Sequence, residues 1–385
     1  MVVEDSYRVF VGDVRTGRVN ATIPVSDFKW GIRLNAAGPV TATIRTASEE
    51  AKFLDLRNLT LTKKQFLGVS YGETILECGP IWKRSFDPKS YALSLQAQGL
   101  WSIFDRRKNV PGAALRAIGD PARVAPALAS YKVQGKHLGS IAREIVRRSI
   151  QDNPYGGDLP VSLPADIAGI HEREYFGYNL GWIGDDLREL TGVQGGPDLR
   201  FRPRFKAGDP SMVEWVLEHG KVDILQQSGP DWKWDASVEK TPVAEYGIEQ
   251  DGSGMADFAW SPGSGQEEAM PVATARNLTL LRAGYPWTET EQGNSQEENF
   301  SLLQGLANRT ISDHVLPWDA WSMIVKANGN PKLGSYLPGD WAKVRTPNDH
   351  PVLPPNREAR VRLLSIDGDH TNNVSMGVAP IQGSV

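Results

Sequence analysis

The sequence predicts a mainly β protein with an α+β insertion, and three observations carry that reading. Short apolar or alternating runs punctuated by turn residues fill residues 7–105 and return over the last 150. Helical periodicity is concentrated in the middle of the chain, with one more segment near residue 300. The 385 residues include 38 Gly, 26 Pro and 12 Trp, a composition suited to loop-rich β structure with large aromatic anchors. At about 150 residues per domain the chain should form two to four units. Composition shifts place the boundaries at 1–107, 108–235 and 236–385.

In the first block, Tyr7–Val11, Val19–Val25 and Val40–Ile44 are strand-like, and Val40–Ile44 is rich in β-branched residues. Phe66–Tyr71 and Thr74–Gly79, hinged at Gly72, read as a hairpin. The clearest strand is Tyr91–Gln98, with Tyr91, Leu93, Leu95 and Ala97 on one face. The lone cysteine, Cys78, is expected to pack inside a strand, since a free cysteine behaves as a small hydrophobe.

The character changes at Arg106-Arg107-Lys108. Residues 110–130, rich in Pro, Ala and Gly, read as loop. A helix is expected from Leu138 to Ile150, with Leu138, Ile141, Ala142, Ile145 and Val146 inward. A second runs from Leu180 to Leu190, with Asn179 as its N-cap, Gly192 past its end, and Asp185 and Asp186 on its polar side. Leu199–Phe205 and Met212–Glu218 pair around Gly208-Asp209-Pro210. In the last block, the polar 261–298 segment reads as a long exposed loop. Asn299–Arg309 reads as a helix with Phe300, Leu303, Leu306 and Ala307 inward, and Asp367-Gly368-Asp369 as the tight turn joining the last two strands.

Charge and motifs narrow the function classes. Lys and Arg number 42 against 46 Asp and Glu, for a net charge of -4, with no strongly basic stretch. Phosphate contacts supply most nucleic-acid affinity, so stable DNA binding is not expected, whereas a wall that DNA slides past is compatible. One cysteine precludes an intrachain disulfide or a thiolate metal cluster. The N-terminus lacks a basic region followed by an apolar core, and no apolar window reaches the length of a membrane span, so a soluble product folded in the cytoplasm, without stable membrane binding, is expected.

Catalytic signatures are absent: there is no His-Glu-x-x-His, Walker A loop, dinucleotide fingerprint or Gly-x-Ser-x-Gly elbow. The six histidines are dispersed, so no local pair supplies metal-ligand spacing. Glu289, Glu291, Glu297 and Glu298 could serve a glycosidase only on a rigid frame, and read better as a solvated loop. Asp367 and Asp369, followed by Asn372 and Asn373, lack the glycine and bidentate glutamate of a calcium loop. No cofactor, metal or catalytic residue is expected, and an enzyme is disfavoured.

Several runs together carry a family likeness: Tyr7–Val11; Phe28-Lys-Trp-Gly-Ile-Arg-Leu through Ile44; Cys78-Gly-Pro-Ile-Trp82; and Leu93 through Arg107, with its strand, glycine, aromatic and Arg-Arg. Leu337-Pro-Gly-Asp-Trp-Ala-Lys-Val-Arg345 and Arg360–Asp369 extend it to the C-terminal part. The chain resembles minor tail proteins of siphophages that infect actinobacteria, whose fold is similar to the baseplate hub of contractile tails and to the N-terminal hub of tail-associated lysins.

The resemblance implies two tube-like β-barrel domains plus smaller accessory domains, with barrels that can be discontinuous in sequence. It further implies a virion protein at the tail tip, a homotrimeric ring joining the tail tube to the tip. Distal tail protein, tape measure protein and other minor tail proteins would be its partners, and DNA would only pass through the channel. The sequence stops at Val385, directly after the presumed last barrel, so an added lytic domain is not expected. Trp30, Trp82, Trp101, Trp318 and Trp341 are the expected core or interface anchors. Competing readings are a hexameric distal tail protein, a carbohydrate-binding module that stacks sugars on Trp232, Trp234, Trp260 and Trp287, and a cell-wall hydrolase.

Overall fold

A computed structural model describes residues 6–193, 196–220, 231–265, 269–293, 298–314, 318–347, 349, 351 and 357–380. The expected Glu297 carboxylate and the His350 ring lie outside these residues. The chain forms two compact units. The first comprises Met1–Glu245, Met323–Glu358 and Arg362–Gly377; the second comprises Tyr246–Ser322, Ala359–Val361 and Val378–Val385.

The first unit begins with β1 (Tyr7–Asp13), β2 (Val19–Thr22), β3 (Asp27–Arg33) and β4 (Pro39–Arg45). Two single-turn helices follow, α1 (Glu49–Lys52) and α2 (Leu56–Leu59), capped by the side chains of Ser48 and Asp55. Next come β5 (Gln65–Tyr71), β6 (Thr74–Asp87) and β7 (Ala92–Gln98). All seven residues of β5 are buried. The β5–β6 turn needs Gly72, whose φ is +56°. Strand β6 serves two neighbours: its first half pairs with β5 from Tyr71↔Thr74 to Phe66↔Pro80, and its second half with β7 out to Asp87↔Ala92.

The insertion comprises α3 (Trp101–Phe104), α4 (Gly112–Arg116), α5 (Pro121–Ala127), β8 (Ser130–Lys136), α6 (Leu138–Gln151), β9 (Val161–Ser162), β10 (Ala168–Phe176), α7 (Ile183–Gly192), β11 (Leu199–Lys206) and β12 (Asp209–His219). The expected 110–130 loop is thus two short helices. Alanine has the best helix propensity, and Asp120 caps α5 with Pro121 in its first turn. Helix α7 starts at Ile183 with Trp182 at the N-cap, not at Asn179, which lies in a 3-10 turn ended by Leu180 at φ +49°. The expected hairpin forms, with Leu199↔His219 through Phe205↔Val213 in register. Buried faces of α6, α7, β11 and β12 share one core with Phe10, Phe66, Cys78, Trp101 and Phe104.

Strands β13 (Trp232–Asp235) and β14 (Val243–Asp251) lead towards the second unit. That unit contains β15 (Phe258–Pro262), β16 (Val272–Arg276), α8 (Thr279–Arg282), β17 (Glu289–Glu291) and α9 (Phe300–Asp313). The expected 261–298 loop is therefore largely structured, in a sheet of order β16-β15-β17. Small residues hide the signal: Ala256, Ala259 and Ala273 pack with Leu303, Ala307 and Ile311 of α9, and methyl-sized side chains give weak hydrophobic periodicity. Phe300 is not inward; it sits at the first position of α9 and is 55% exposed, while Leu303, Ala307, Thr310 and Ile311 form the buried face.

Finally β18 (Trp318–Lys326), β19 (Trp341–Arg345), β20 (Glu358–Asp369) and β21 (Asn373–Pro380) close the chain. The main sheet runs β14-β18-β21-β20-β3-β4-β7-β6-β5-β1-β2, with β19 joined to β20 and, in parallel, to β13. The junction of β20 with β3 joins Ser365–Asp369 to Lys29–Arg33. Asp367-Gly368-Asp369 is therefore strand, and the turn falls at residues 370–372. Gly368 is required there for a different reason: a Cβ would lie 2.4 Å from the Trp30 indole. The mainly β class with an α+β insertion holds.

Candidate functional site

In the first unit the expected anchors differ in burial. Trp30 and Trp101 are each 1% exposed. Trp30 lies beside Tyr7, with ring centroids 6.4 Å apart, and Trp101 meets Phe201 edge to face at 5.8 Å. Phe201 also stacks on Phe104 at 4.9 Å, so this aromatic group packs α3 against β11 within the insertion. Trp82 and Trp341 are half-buried. Trp82 donates its indole N–H to the Ser102 hydroxyl at 2.8 Å and carries the Arg106 guanidinium over its ring at 4.1 Å. Arg362 lies over Trp341 at 5.5 Å. Trp318 is in β18, with its side chain outside the described residues.

A further anchor that the sequence reading missed is Trp215. It is fully buried, donates to the Cys78 carbonyl at 2.9 Å and meets Phe66 edge to face. Its place in the alternating run Met212–Glu218 was the available signal. Nearby, Asp198 is 7% exposed and is held by Asn35 and by an ion pair with Arg362, across 164 residues of sequence. Arg200 bridges Glu218 and the Pro338 carbonyl, so the insertion is locked to the closing strands by charge as well as packing.

The four tryptophans proposed to stack sugars separate into two pairs. Trp234 is 1% exposed and its ring meets Tyr336 at 5.0 Å, so it offers no face to a sugar. Trp232 is half-buried, with its N–H given to Asp340 at 3.0 Å. Trp260 and Trp287, in the second unit, are 40% and 44% exposed. Strand alternation turns Ala259 and Ser261 inward and leaves Phe258 and Trp260 on the opposite face, where β17 pairs in parallel from Phe258↔Glu289 to Trp260↔Glu291. Both carboxylate oxygens of Glu289 accept indole N–H groups, Oε1 from Trp287 at 3.0 Å and Oε2 from Trp260 at 3.3 Å. Phe258 fills the space between the rings, 4.8 Å from Trp260 and 5.9 Å from Trp287. The result is a pair of exposed, pre-oriented indoles around one carboxylate. Glu289, committed to both indoles, is a positioning group rather than a free acid.

Two further acidic candidates, Asp367 and Asp369, also have structural employment. Asp367 pairs with Arg33 at 2.6 Å and Asp369 accepts the Thr371 N–H at 2.7 Å. Among the described residues no group of three His, Cys, Asp or Glu side chains is placed to hold a metal ion. No described helix is long and apolar enough to cross a membrane.

Comparison with known proteins places this fold. The chain aligns over 98% of its length with 97% of a tail protein from Neisseria meningitidis MC58, at TM-score 0.56 and 14% identity. It aligns over 97% with 97% of the 43 kDa tail protein of prophage MuSo2 from Shewanella oneidensis, at TM-score 0.59 and 10% identity. A chain of the half-lidded Francisella PdpA–VgrG complex is matched over 98% of this chain and 58% of its own, at TM-score 0.55 and 9% identity. No family model matches the sequence, and no curated protein matches it. The fold is thus shared with these tail proteins, one of them from a prophage.

Proposed function

We propose that this chain is a structural, non-enzymatic subunit of a phage tail tip, a homotrimeric hub ring that connects the tail tube to the tip and surrounds the channel for tape measure and DNA. The observation that carries it is end-to-end likeness to two tail proteins, one of them from a prophage, each covered over 97% of its length. The net charge of -4 suits a channel wall that DNA passes without sticking. Distal tail protein, tape measure protein and other tip proteins are the partners this reading requires, and a siphophage of actinobacteria is the source the sequence resemblance implies. Permanent ring interfaces should each bury more than about 2,000 Å². Native mass spectrometry of the purified chain tests the reading: a closed trimer supports it, and a sixfold ring moves the assignment to the distal tail protein.

A second reading, host recognition through carbohydrate, is favoured specifically by Trp260, Trp287 and Glu289. Rigid exposed indoles offer stacking faces at small entropic cost, and Glu289 holds both of them in place. Titration of the full chain with chitotetraose and cellotetraose tests it. Saturable binding lost in Trp260→Ala and Trp287→Ala would support recognition, and no binding of either glycan would remove it.

A further inference from the structure

A cleft of about 850 Å³ opens in the first unit between the β1–β2 turn, the segment leading into β5, the α3 C-terminus and the loop before β9. Its charge is opposite to that of the whole chain. Arg15, Lys63, Lys64, Arg106 and Arg107 line it, against the carboxylates of Asp13 and Asp158. Both carboxylates are already engaged. Asp13 Oδ1 accepts the backbone N–H groups of Arg15 and Thr16 and the Thr16 hydroxyl, and Asp158 pairs with Arg15 at 3.4 Å. Arg107 is structural, donating to the Ser149 carbonyl and hydroxyl and to the Gly157 carbonyl. Lys63 and Lys64 are exposed and make no ion pair among the described residues, while Arg106 is held over Trp82. Lys63, Lys64 and Arg106 therefore line the cleft with no ion pair to a carboxylate among the described residues. The remaining wall is apolar, from Trp82, Ile103 and Leu159.

We propose that this cleft binds a phosphorylated small molecule, a sugar or polyol phosphate monoester, with phosphate at Lys63, Lys64 and Arg106 and the carbon skeleton along Trp82 and Ile103. Three uncompensated cations exceed what one carboxylate neutralises, whereas a phosphate monoester carries nearly two charges and three acceptor oxygens. The volume is that of an organic ligand, far above a bare ion. The cationic positions are local rather than a stripe, which disfavours nucleic acid. This site is independent of the ring reading, because all of its residues belong to one unit of one chain.

Isothermal titration of the full chain with glucose 6-phosphate, glycerol 3-phosphate, inorganic phosphate, glucose and hexaglutamate tests the proposal. The phosphate esters should bind saturably, at least tenfold tighter than inorganic phosphate, with glucose silent. Whichever ester binds tighter identifies the skeleton as sugar or polyol. K63Q/K64Q should weaken ester binding tenfold or more, while the charge-matched surface variant K52Q/K89Q leaves it unchanged. R106Q gives an independent check on the same site. Absent ester binding, equal loss in both double variants, inorganic phosphate as tight as the esters, or hexaglutamate tighter than both would each overturn the proposal.

Discussion

Glu77 is a carboxyl group folded into the main sheet, 5% exposed, where its own unit leaves it little water. Its Oε1 accepts the Cys78 N–H at 2.9 Å, and Gly38 and Gly99 approach so closely that a Cβ on either would fall within 3 Å of the carboxylate. Burial pushes its pKa up to about 8, against the lowering effects of the Cys78 N–H, the Arg33 charge and the Gly38 N–H. An unfolded glutamate releases its proton near pH 4.3. Between these values the folded chain holds a proton that the unfolded chain has lost, so stability falls as pH rises, by about 1.4 kcal/mol per pH unit, and levels off above the folded pKa. From about pH 5 to about pH 7.5 this one group should cost roughly 3 kcal/mol. Glu77→Gln keeps an acceptor for the backbone donors and cannot ionise. Urea unfolding of parent and variant across that range should give curves that lie close at low pH and diverge above it, with the variant more stable by roughly 3 kcal/mol at the upper end. Parallel curves would refute the reasoning.

Trp215→Phe should cost about 1–3 kcal/mol by leaving the Cys78 carbonyl without its donor, and Trp215→Ala about 3–5 kcal/mol through the added cavity, read from shifts in urea midpoint. Asp198→Ala should destabilise by about 1–3 kcal/mol because the half-buried Arg362 loses its ion pair with Asp198; the double variant with Arg362→Met should recover part of that in a double-mutant cycle, and strict additivity would contradict it. His219 has its pKa lowered by burial, with the neighbouring His137 acting in the same direction. Its contribution should therefore be intact above the unfolded histidine pKa and lost as pH falls through the folded one, so His219→Gln should flatten the acid limb of the stability profile.

What the sequence disclosed was local. The alternation of Leu93, Leu95 and Ala97 and the apolar stripe of Leu138, Ile141, Ile145 and Val146 each lie inside one element, and the structure has β7 and α6 there. Contacts between distant segments left no such trace. Arg33 and Asp367 meet across 334 residues, and Gly368 reads as a turn until the Trp30 ring is seen against it. The same holds for both surfaces with chemical potential. Trp260, Trp287 and Glu289 fall under separate headings in sequence, as aromatic and acidic features, and the parallel pairing of β15 with β17 unites them. The cationic cleft draws on residues 15, 63–64 and 106–107, none of which forms a basic run long enough to stand out. Small inward residues, Ala259 and Ala273 above all, concealed a sheet within a polar segment.

The central claim is the ring. The most direct measurement is native mass spectrometry of the purified chain, with cryo-EM of the tail tip fixing its symmetry. A closed trimer forming a threefold ring around an open channel is the predicted result. A sixfold ring, or a monomer that persists at every concentration and salt tested, would contradict it.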